Sequence, residues 1–487
     1  MVNDNLAIST NYDQNTLFDE AELNWCQVSL SDIISRGVRL EASVYGIDGR
    51  KARASVENCR FEKKTLTGKN GIAVAYTCPR FKRNWVEKSE FPIYQPSSIL
   101  ELYPKPDGYI AKNTGTNIES LRVQNNQVLI TCSGTIGKVT LVSKTLGKKI
   151  FSHDLLRVTC NNEDDAGYLY CYIKSDVGNK LLTTNHYGAV VSHIEASHLN
   201  EIPIPYPDMP IRKNISNLIS KSFFLRDRAN EYWEKSLSVL YSALHLADIS
   251  KFKSENINSA LNSFTVKLSK LNGRLDASFH DCFGDIILKQ IKKYASITTL
   301  GDSQLSEEIF LPERYRRVYV SKGHGTKMFG IKQITTLDPF TEKYLALGCI
   351  NSSLRKKLLL KPGMILISRS GTIGNMCIVP PHWKGWIASE DLIRIKAKSE
   401  YEGYVYCFLF SDYGQELIKR FSFGSVQDHI DCDQVSNFPV PILYDVEKME
   451  EINQLVMKCN NLRAESYQVE QEAIKVFNNN VIKSEMR

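Results

Sequence analysis

Short apolar runs recur along the chain around one polar interruption. Val128-Leu129-Ile130-Thr131 leads into the pentapeptide SGTIG at Ser133–Gly137, and Val139-Thr140-Leu141-Val142 leads out of it. Met364-Ile365-Leu366-Ile367 leads into the same pentapeptide at Ser370–Gly374, and Met376-Cys377-Ile378-Val379 leads out. Apolar runs of four bounded by glycine predict strand, turn, strand in each place. The glycines allow positive φ and a close backbone approach.

A second pattern has helical period. After Pro210, apolar residues fall at Ile211, Ile215, Leu218, Phe223 or Leu225, Ala229, Tyr232, Leu237, Leu240 and Leu244, with charged residues between them. No glycine or proline interrupts the run before Gly273. This predicts an amphipathic helix of roughly 35 to 40 residues, about 55 Å long. A matching run follows Pro441, through Val446, Met449, Ile452, Leu455 or Val456, Cys459, Leu462, Tyr467 and Phe477. Two such stripes can cover each other as an antiparallel coiled coil, and the expected architecture is two domains held apart by that rod.

The two halves align along their length at a nearly constant offset. Arg39-Leu40-Glu41-Ala42-Ser43 matches Arg274-Leu275-Asp276-Ala277-Ser278, and Arg80-Phe81-Lys82-Arg83 matches Arg314-Tyr315-Arg316-Arg317. His153-Asp154-Leu155-Leu156-Arg157-Val158 matches Glu390-Asp391-Leu392-Ile393-Arg394-Ile395, and Pro203-Ile204-Pro205 matches Pro439-Val440-Pro441. Gly188 and His193-Ile194 match Gly424 and His429-Ile430. Matched positions are largely apolar, glycine or proline, and the segments between them diverge. That is the pattern of a kept scaffold with a varied surface.

The fold class expected is α+β, with two tandem pseudo-symmetric α/β domains separated by two long antiparallel helices. The expected boundaries are a polar lead-in over 1–22, a first domain over 23–207, a helical spacer over 208–262, a second domain over 263–443 and a C-terminal spacer over 444–487. Composition sharpens this little. Of 487 residues, 43% are hydrophobic and 24% charged, as in a folded soluble protein. No apolar stretch of about 18 residues exists, and the polar start MVNDNLAIST lacks a secretory pattern, so a cytoplasmic protein is expected. The 12 cysteines include no Cys-x-x-Cys pair, and Cys171, Cys377 and Cys407 lie in apolar runs. They read as buried thiols, and no metal site is expected. A net charge of +7 permits phosphate binding without demanding it.

No catalytic residue is expected. The chain has no Walker A sequence, no His-Glu-x-x-His, no Asn-Pro-Pro-aromatic tetrapeptide and no glycine-rich S-adenosylmethionine loop. His153 faces Glu390 in the alignment, so it reads as a surface or turn residue. His193 and His429 read as core or capping histidines.

With both SGTIG copies, the RLEAS and RLDAS segments, the arginine-rich segments and the HDLLRV and EDLIRI strands, the chain resembles the specificity (S) subunit of a type I DNA restriction-modification system. The resemblance runs from about Trp25 to the C-terminus. It implies two target recognition domains, each reading one half of a bipartite sequence in double-stranded DNA. It implies that the helical rod sets the half-site spacing and docks two methyltransferase subunits, through Ile215, Leu218, Leu237, Leu240, Ile452, Leu455 and Leu462. No cofactor is implied on this chain. S-adenosylmethionine would sit on the methyltransferases, and ATP and Mg on a restriction subunit where one joins.

Arg80, Lys82 and Arg83, with Arg314, Arg316 and Arg317, are the leading DNA candidates, because they recur before a strand in both copies. Ser133, Thr135, Ser370 and Thr372 offer hydroxyls on the SGTIG turns, which read either as direct contacts or as hairpins that only fix the fold. Lys138 and Arg369 flank the turns and are not shared. The basic segments Lys322 to Lys327, with His324 between, and Lys63 to Asn70 read as unmatched loops suited to sequence readout. The alternative from another class is a protein–protein scaffold with two interaction domains on a coiled-coil rod.

Overall fold

The structure, a computed structural model, describes residues 27–35, 38–188, 191–256, 264–271, 273–339, 343–424 and 428–484. The predicted lead-in over 1–22 lies outside the described residues. The first unit carries strands β1 (Lys63–Thr65), β2 (Ala73–Tyr76), β3 (Trp85–Val86), β4 (Pro92–Tyr94), β5 (Gly108–Ile110), β6 (Val128–Thr131), β7 (Val139–Leu141), β8 (Ile150–Phe151), β9 (Leu155–Cys160) and β10 (Pro203–Pro205). The second carries β11 (Ala295–Thr299), β12 (Ser306–Phe310), β13 (Tyr319–Val320), β14 (Thr326–Phe329), β15 (Tyr344–Leu345), β16 (Ile365–Ser368), β17 (Met376–Ile378), β18 (Ile387–Ala388), β19 (Leu392–Ala397) and β20 (Pro439–Leu443).

The two sets have one topology. A four-stranded antiparallel sheet runs β2-β9-β6-β7 in the first unit and β12-β19-β16-β17 in the second. A smaller sheet runs β3-β5-β4-β8 and β13-β15-β14-β18, and its last pair is parallel in both. A ribbon pairs β1 with β10 and β11 with β20. The predicted hairpins stand: Ile130 pairs with Val139, and Ile367 with Met376. β6 and β16 are buried at every residue, which is why they read as continuous apolar runs rather than alternating ones.

The helices follow the same repeat. They are α1 (Leu30–Ser35), α2 (Ile47–Glu57), α3 (Ala166–Lys174), α4 (Asp176–Thr184), α5 (Met209–Ala243), α6 (Ile249–Asn256), α7 (Cys282–Ile291), α8 (Ser352–Leu358), α9 (Glu402–Phe410), α10 (Asp412–Phe421), α11 (Cys432–Ser436) and α12 (Val446–Phe477). α3 and α9 are apolar all round and lie in the core. Each is followed by a serine N-cap: Ser175 Oγ accepts from Gly178 N at 3.2 Å and Ser411 Oγ from Gly414 N at 3.1 Å. No helix among the described residues is long and apolar enough to cross a membrane.

α5 starts with proline in its first turn, and α12 is capped by Asp445, whose side chain accepts from Lys448 N. They pack antiparallel. Ser222 Oγ donates to Ser466 O at 2.9 Å, Arg463 reaches Asn230 at 3.2 Å, and Lys235 pairs with Glu451 at 3.1 Å. Buried Ser222, Ala229, Ser236, Ala464, Ser466 and Ala473 keep the side chains in the seam small.

The helices do not hold the units apart. The first core contains Ile215, Ile219 and Phe223 from the start of α5, with Ala473 and Phe477 from the end of α12. The second contains Ala229, Trp233 and Leu240 from the end of α5, with Met449, Ile452 and Val456 from the start of α12. Each helix lends one half to each unit. The units also touch directly: Leu102 N donates to Thr335 O at 2.8 Å, and the Tyr103 ring lies 4.8 Å from Trp233 and 5.5 Å from Phe410. The expected partner-docking residues are corrected by this packing. Ile215, Leu240, Ile452 and Leu455 are buried, and Leu218, Leu237 and Leu462 are partly buried against the two cores. An amphipathic stripe announces that it must be covered, but period alone does not say by what.

Partly and fully buried charges join the pieces. Asp338 of the second unit accepts from Lys327 at 2.7 Å and pairs with Lys174 of the first at 3.3 Å. Glu470 on α12 pairs with Arg226 on α5 at 2.7 Å and accepts from the Tyr170 hydroxyl. A cavity of about 70 Å³ lies among these groups at the junction.

Candidate nucleic-acid interface

The arginine-rich segments are extended links between the two sheets of each unit. Arg80, Lys82 and Arg83 lie between β2 and β3, and Arg314, Arg316 and Arg317 between β12 and β13. Arg80, Lys82, Arg314 and Arg316 are exposed, and Arg83 and Arg317 are half-buried. Among the described residues no ion pair holds the exposed four, and their side chains are open to solvent.

The half-buried pair differ in what faces them. Arg317 Nη2 bonds Glu390 Oε2 at 2.7 Å, and its other nitrogen lies 3.5 Å from the Tyr319 hydroxyl. Burial works to lower the pKa of Arg317, and the Glu390 and Tyr319 hydrogen bonds outweigh it and raise the value. Burial also pushes the Tyr315 hydroxyl up to about 12, with Glu390 adding to the effect. In the first unit the residue in the place of Glu390 is His153. Among the described residues Arg83 makes no ion pair, and its guanidinium lies 6.0 Å from the Trp85 ring centroid. His153, expected on the surface or in a turn, lies in the bend between β8 and β9 and not on the open surface. It packs edge-on against Phe81 at 6.3 Å with its side chain 16% exposed. Burial holds its pKa below the usual range; Asp154 opposes this, and Arg83 and Arg80 push further down.

The SGTIG turns are braced from inside. Thr131 Oγ1 donates to Thr135 O at 2.6 Å, and Ser368 Oγ to Thr372 O at 2.5 Å. Asn179 on α4 donates to Gly137 O at 2.7 Å, and Gln415 on α10 to Gly374 O at 3.2 Å. Ser133 forms a backbone bridge with His193, and Ser370 with His429. His193 also bridges to Tyr187, and Arg80 is near enough to Tyr187 to bias its titration. The structure thus brings Ser133 and Arg80 into one neighbourhood. The carbonyls and one rim of each turn are occupied by the fold, while the Thr135 and Thr372 side chains remain exposed.

Other expected contacts lie elsewhere. Lys138 is half-buried, with burial lowering its pKa and Glu101 opposing. Arg369 is partly buried, and its Nε has no hydrogen-bond partner. Lys322 pairs with Asp176 of the first unit at 3.0 Å, and His324 beside it is exposed. Lys327 is turned inward onto Asp338 and over the Trp386 ring at 4.4 Å, a correction to its expected place on an open loop. Lys63 to Thr65 is likewise no loop; it is β1, and its counterpart is β11.

Sequence reading missed the role of two further pairs. Arg157 and Arg394, on β9 and β19, are completely buried. Arg157 donates to Ser120 O and Leu121 O at 2.8 Å each, and Arg394 to Ala388 O at 2.9 Å and Leu392 O at 2.5 Å. Burial lowers the Arg394 pKa to about 10. Both tie the large sheet to the segment before it, and their recurrence in the matched strands was the available signal. Trp85 and Tyr319 are the second pair, exposed at the same place in each small sheet.

Comparison with known proteins finds a family model that matches part of the chain. Residues 71–224 match the family model described as the type I restriction modification DNA specificity domain. The matched stretch of the specificity domain begins just before β2, takes in Arg80, Lys82, Arg83 and the first SGTIG turn, and ends inside α5. The solved structures similar to the chain include three of type I systems. The S subunit of a type I restriction-modification system from M. genitalium is 14% identical, over 88% of this chain and 96% of that one, with a TM-score of 0.34. The HsdS subunit from Thermoanaerobacter tengcongensis is 13% identical, over 86% and 100%, with a TM-score of 0.25. A chain from a structure on complex assembly and conformational transition of the type I R-M system is 13% identical, over 84% and 97%, with a TM-score of 0.26. A search of curated proteins found no match.

Proposed function

We propose that this chain is the DNA-recognition subunit of a type I restriction-modification complex and has no catalytic residues of its own. Each unit reads one half of a bipartite duplex sequence. The supporting observation is the pairing of one scaffold with two surfaces: identical strand order in both units, with differently supported arginines at the same place. Arg80, Lys82, Arg83, Arg314 and Arg316 hold phosphates in register, and Arg317, steered by Glu390, is set for a base edge. Ser133, Thr135, Ser370, Thr372 and His324 add hydroxyl and imidazole groups to these contacts.

The recognition units are 23–207 and 263–443, and the spacing of the half-sites follows from how rigidly the two long helices join both cores. Methyltransferase subunits, carrying S-adenosylmethionine, dock from outside. Leu40 and Leu275 are the repeated exposed apolar residues that such a pair of partners would meet: they are 76% and 85% exposed, each beside an arginine anchored on the loop after α4 or α10.

Methylome sequencing of the source cell with and without this chain tests the reading. Deletion removes one bipartite methyladenine motif, and exchange of 25–207 for a relative's changes one half of it. Retention of every motif after deletion overturns the proposal.

A further inference from the structure

We propose that Trp85 and Tyr319 pack their rings on the DNA, one in each half-site, beside the arginines Arg83 and Arg317. This rests on the DNA reading above and goes beyond its phosphate and base-edge contacts. The two residues occupy one position: Trp85 pairs with Ile110 as Tyr319 pairs with Leu345. They are 49% and 47% exposed. A single exposed aromatic needs no explanation, but the same exposure at the same strand position in both diverged copies does.

Their supports hold the rings without covering them. A Cβ on Gly108 would lie 2.8 Å from Trp85 Cζ3 and 3.0 Å from Cε3. Glycine there lets the indole rest on the backbone of β5 with its other face open. In the second unit Lys343 stands in the place of Gly108, and its Nζ lies 5.8 Å from the Tyr319 ring centroid. Each ring has its arginine two residues before it, in the link that leads into the strand: the Arg83 guanidinium lies 6.0 Å from the Trp85 ring centroid, and Arg317 Nη1 lies 3.5 Å from the Tyr319 hydroxyl. A guanidinium for phosphate beside a flat apolar ring is the pairing that nucleic acid rewards, because every base and sugar offers an apolar face next to a fixed charge. A purely protein partner would not call for the run of exposed cations at Arg80, Lys82, Arg314 and Arg316.

The test uses the full chain with its co-purified subunits and a duplex carrying the motif found by methylome sequencing. Trp85→Ala and Tyr319→Ala each weaken binding about tenfold, and the salt slope stays unchanged because no charge is removed. Trp85→Phe retains most affinity. Tryptophan emission falls when the wild type binds target duplex, and that fall shrinks in Trp85→Phe. Thermal melting of the free variants matches the wild type, which separates contact from folding. Binding of both alanine variants within twofold of wild type, or an undiminished emission change in Trp85→Phe, overturns the inference. If the wild type itself does not distinguish target from scrambled duplex, the functional reading fails first and this inference with it.

Discussion

Glu101 and Thr336 stand at equivalent positions of the two repeats and pair with each other across an antiparallel bridge. The chain's pseudo-twofold axis therefore passes where its units meet, and the neighbouring Leu102 N to Thr335 O bond at 2.8 Å closes the contact. The geometry is a non-hydrogen-bonded pair, which brings Cα atoms to about 4.5 Å.

Such a pair accepts a disulfide. The double variant Glu101→Cys, Thr336→Cys is expected to cross-link under mild oxidation and to migrate faster on a non-reducing gel. Each single variant stays reduced. No shift in the double variant would mean that the units are not held as described.

The SGTIG turns give a graded series. Gly137 has φ +81°, and a Cβ there would lie 2.4 Å from Thr183 Cγ2. Gly374 has φ +85° with the movable Gln415 Oε1 at 2.4 Å, and Gly134 has φ +70° with open space around it. Alanine at Gly134 is expected to cost about 1 kcal/mol for the backbone alone. At Gly137 it costs about 3 kcal/mol, because overpacking adds to that strain. Gly374→Ala falls between them. Urea unfolding gives the order, and an equal cost at all three would refute the bracing.

Asp338 sets an acid limit. Burial works to raise its pKa, but Lys174 and Lys327 outweigh burial and hold it at about 2, below the ordinary 3.8. A depressed carboxylate stabilises the fold above its unfolded value and loses that contribution as pH falls through the folded one. Stability is expected to drop by roughly 2 kcal/mol between about pH 4 and pH 2. Asp338→Asn flattens that drop and lowers stability at pH 7, as denaturant unfolding across pH would show.

Glu390 and His153 are expected to set opposite salt behaviour. Glu390→Gln releases Arg317 for phosphate and steepens the dependence of log K on log salt by about one unit. His153→Glu pairs Arg83 and makes the dependence shallower by a similar amount. Titration of duplex binding at several ionic strengths reads both. Identical slopes in wild type and both variants would remove these arginines from the DNA surface.

The long helices show where the sequence was legible. Their period and proline boundaries placed α5 and α12, and the antiparallel pairing followed from two stripes needing cover. The sequence did not say that Ile215 and Ile452 would be covered by sheet-bearing units, because helical period records burial and not the identity of what buries. Lys327 reads as part of an open basic loop for the same reason: a lysine looks alike in sequence whether its ammonium meets water or the Asp338 carboxylate.

By itself the sequence determined the duplication, the strand–turn–strand at each SGTIG and the two long helices, since all of these are local patterns of apolar period and glycine placement. Only the tertiary structure decided that Glu101 meets Thr336, that Glu390 and not His153 holds its arginine, and that Trp85 rests on Gly108. Those are meetings between residues far apart in the chain, fixed by how the sheets and helices close on one another, and no local pattern carries them.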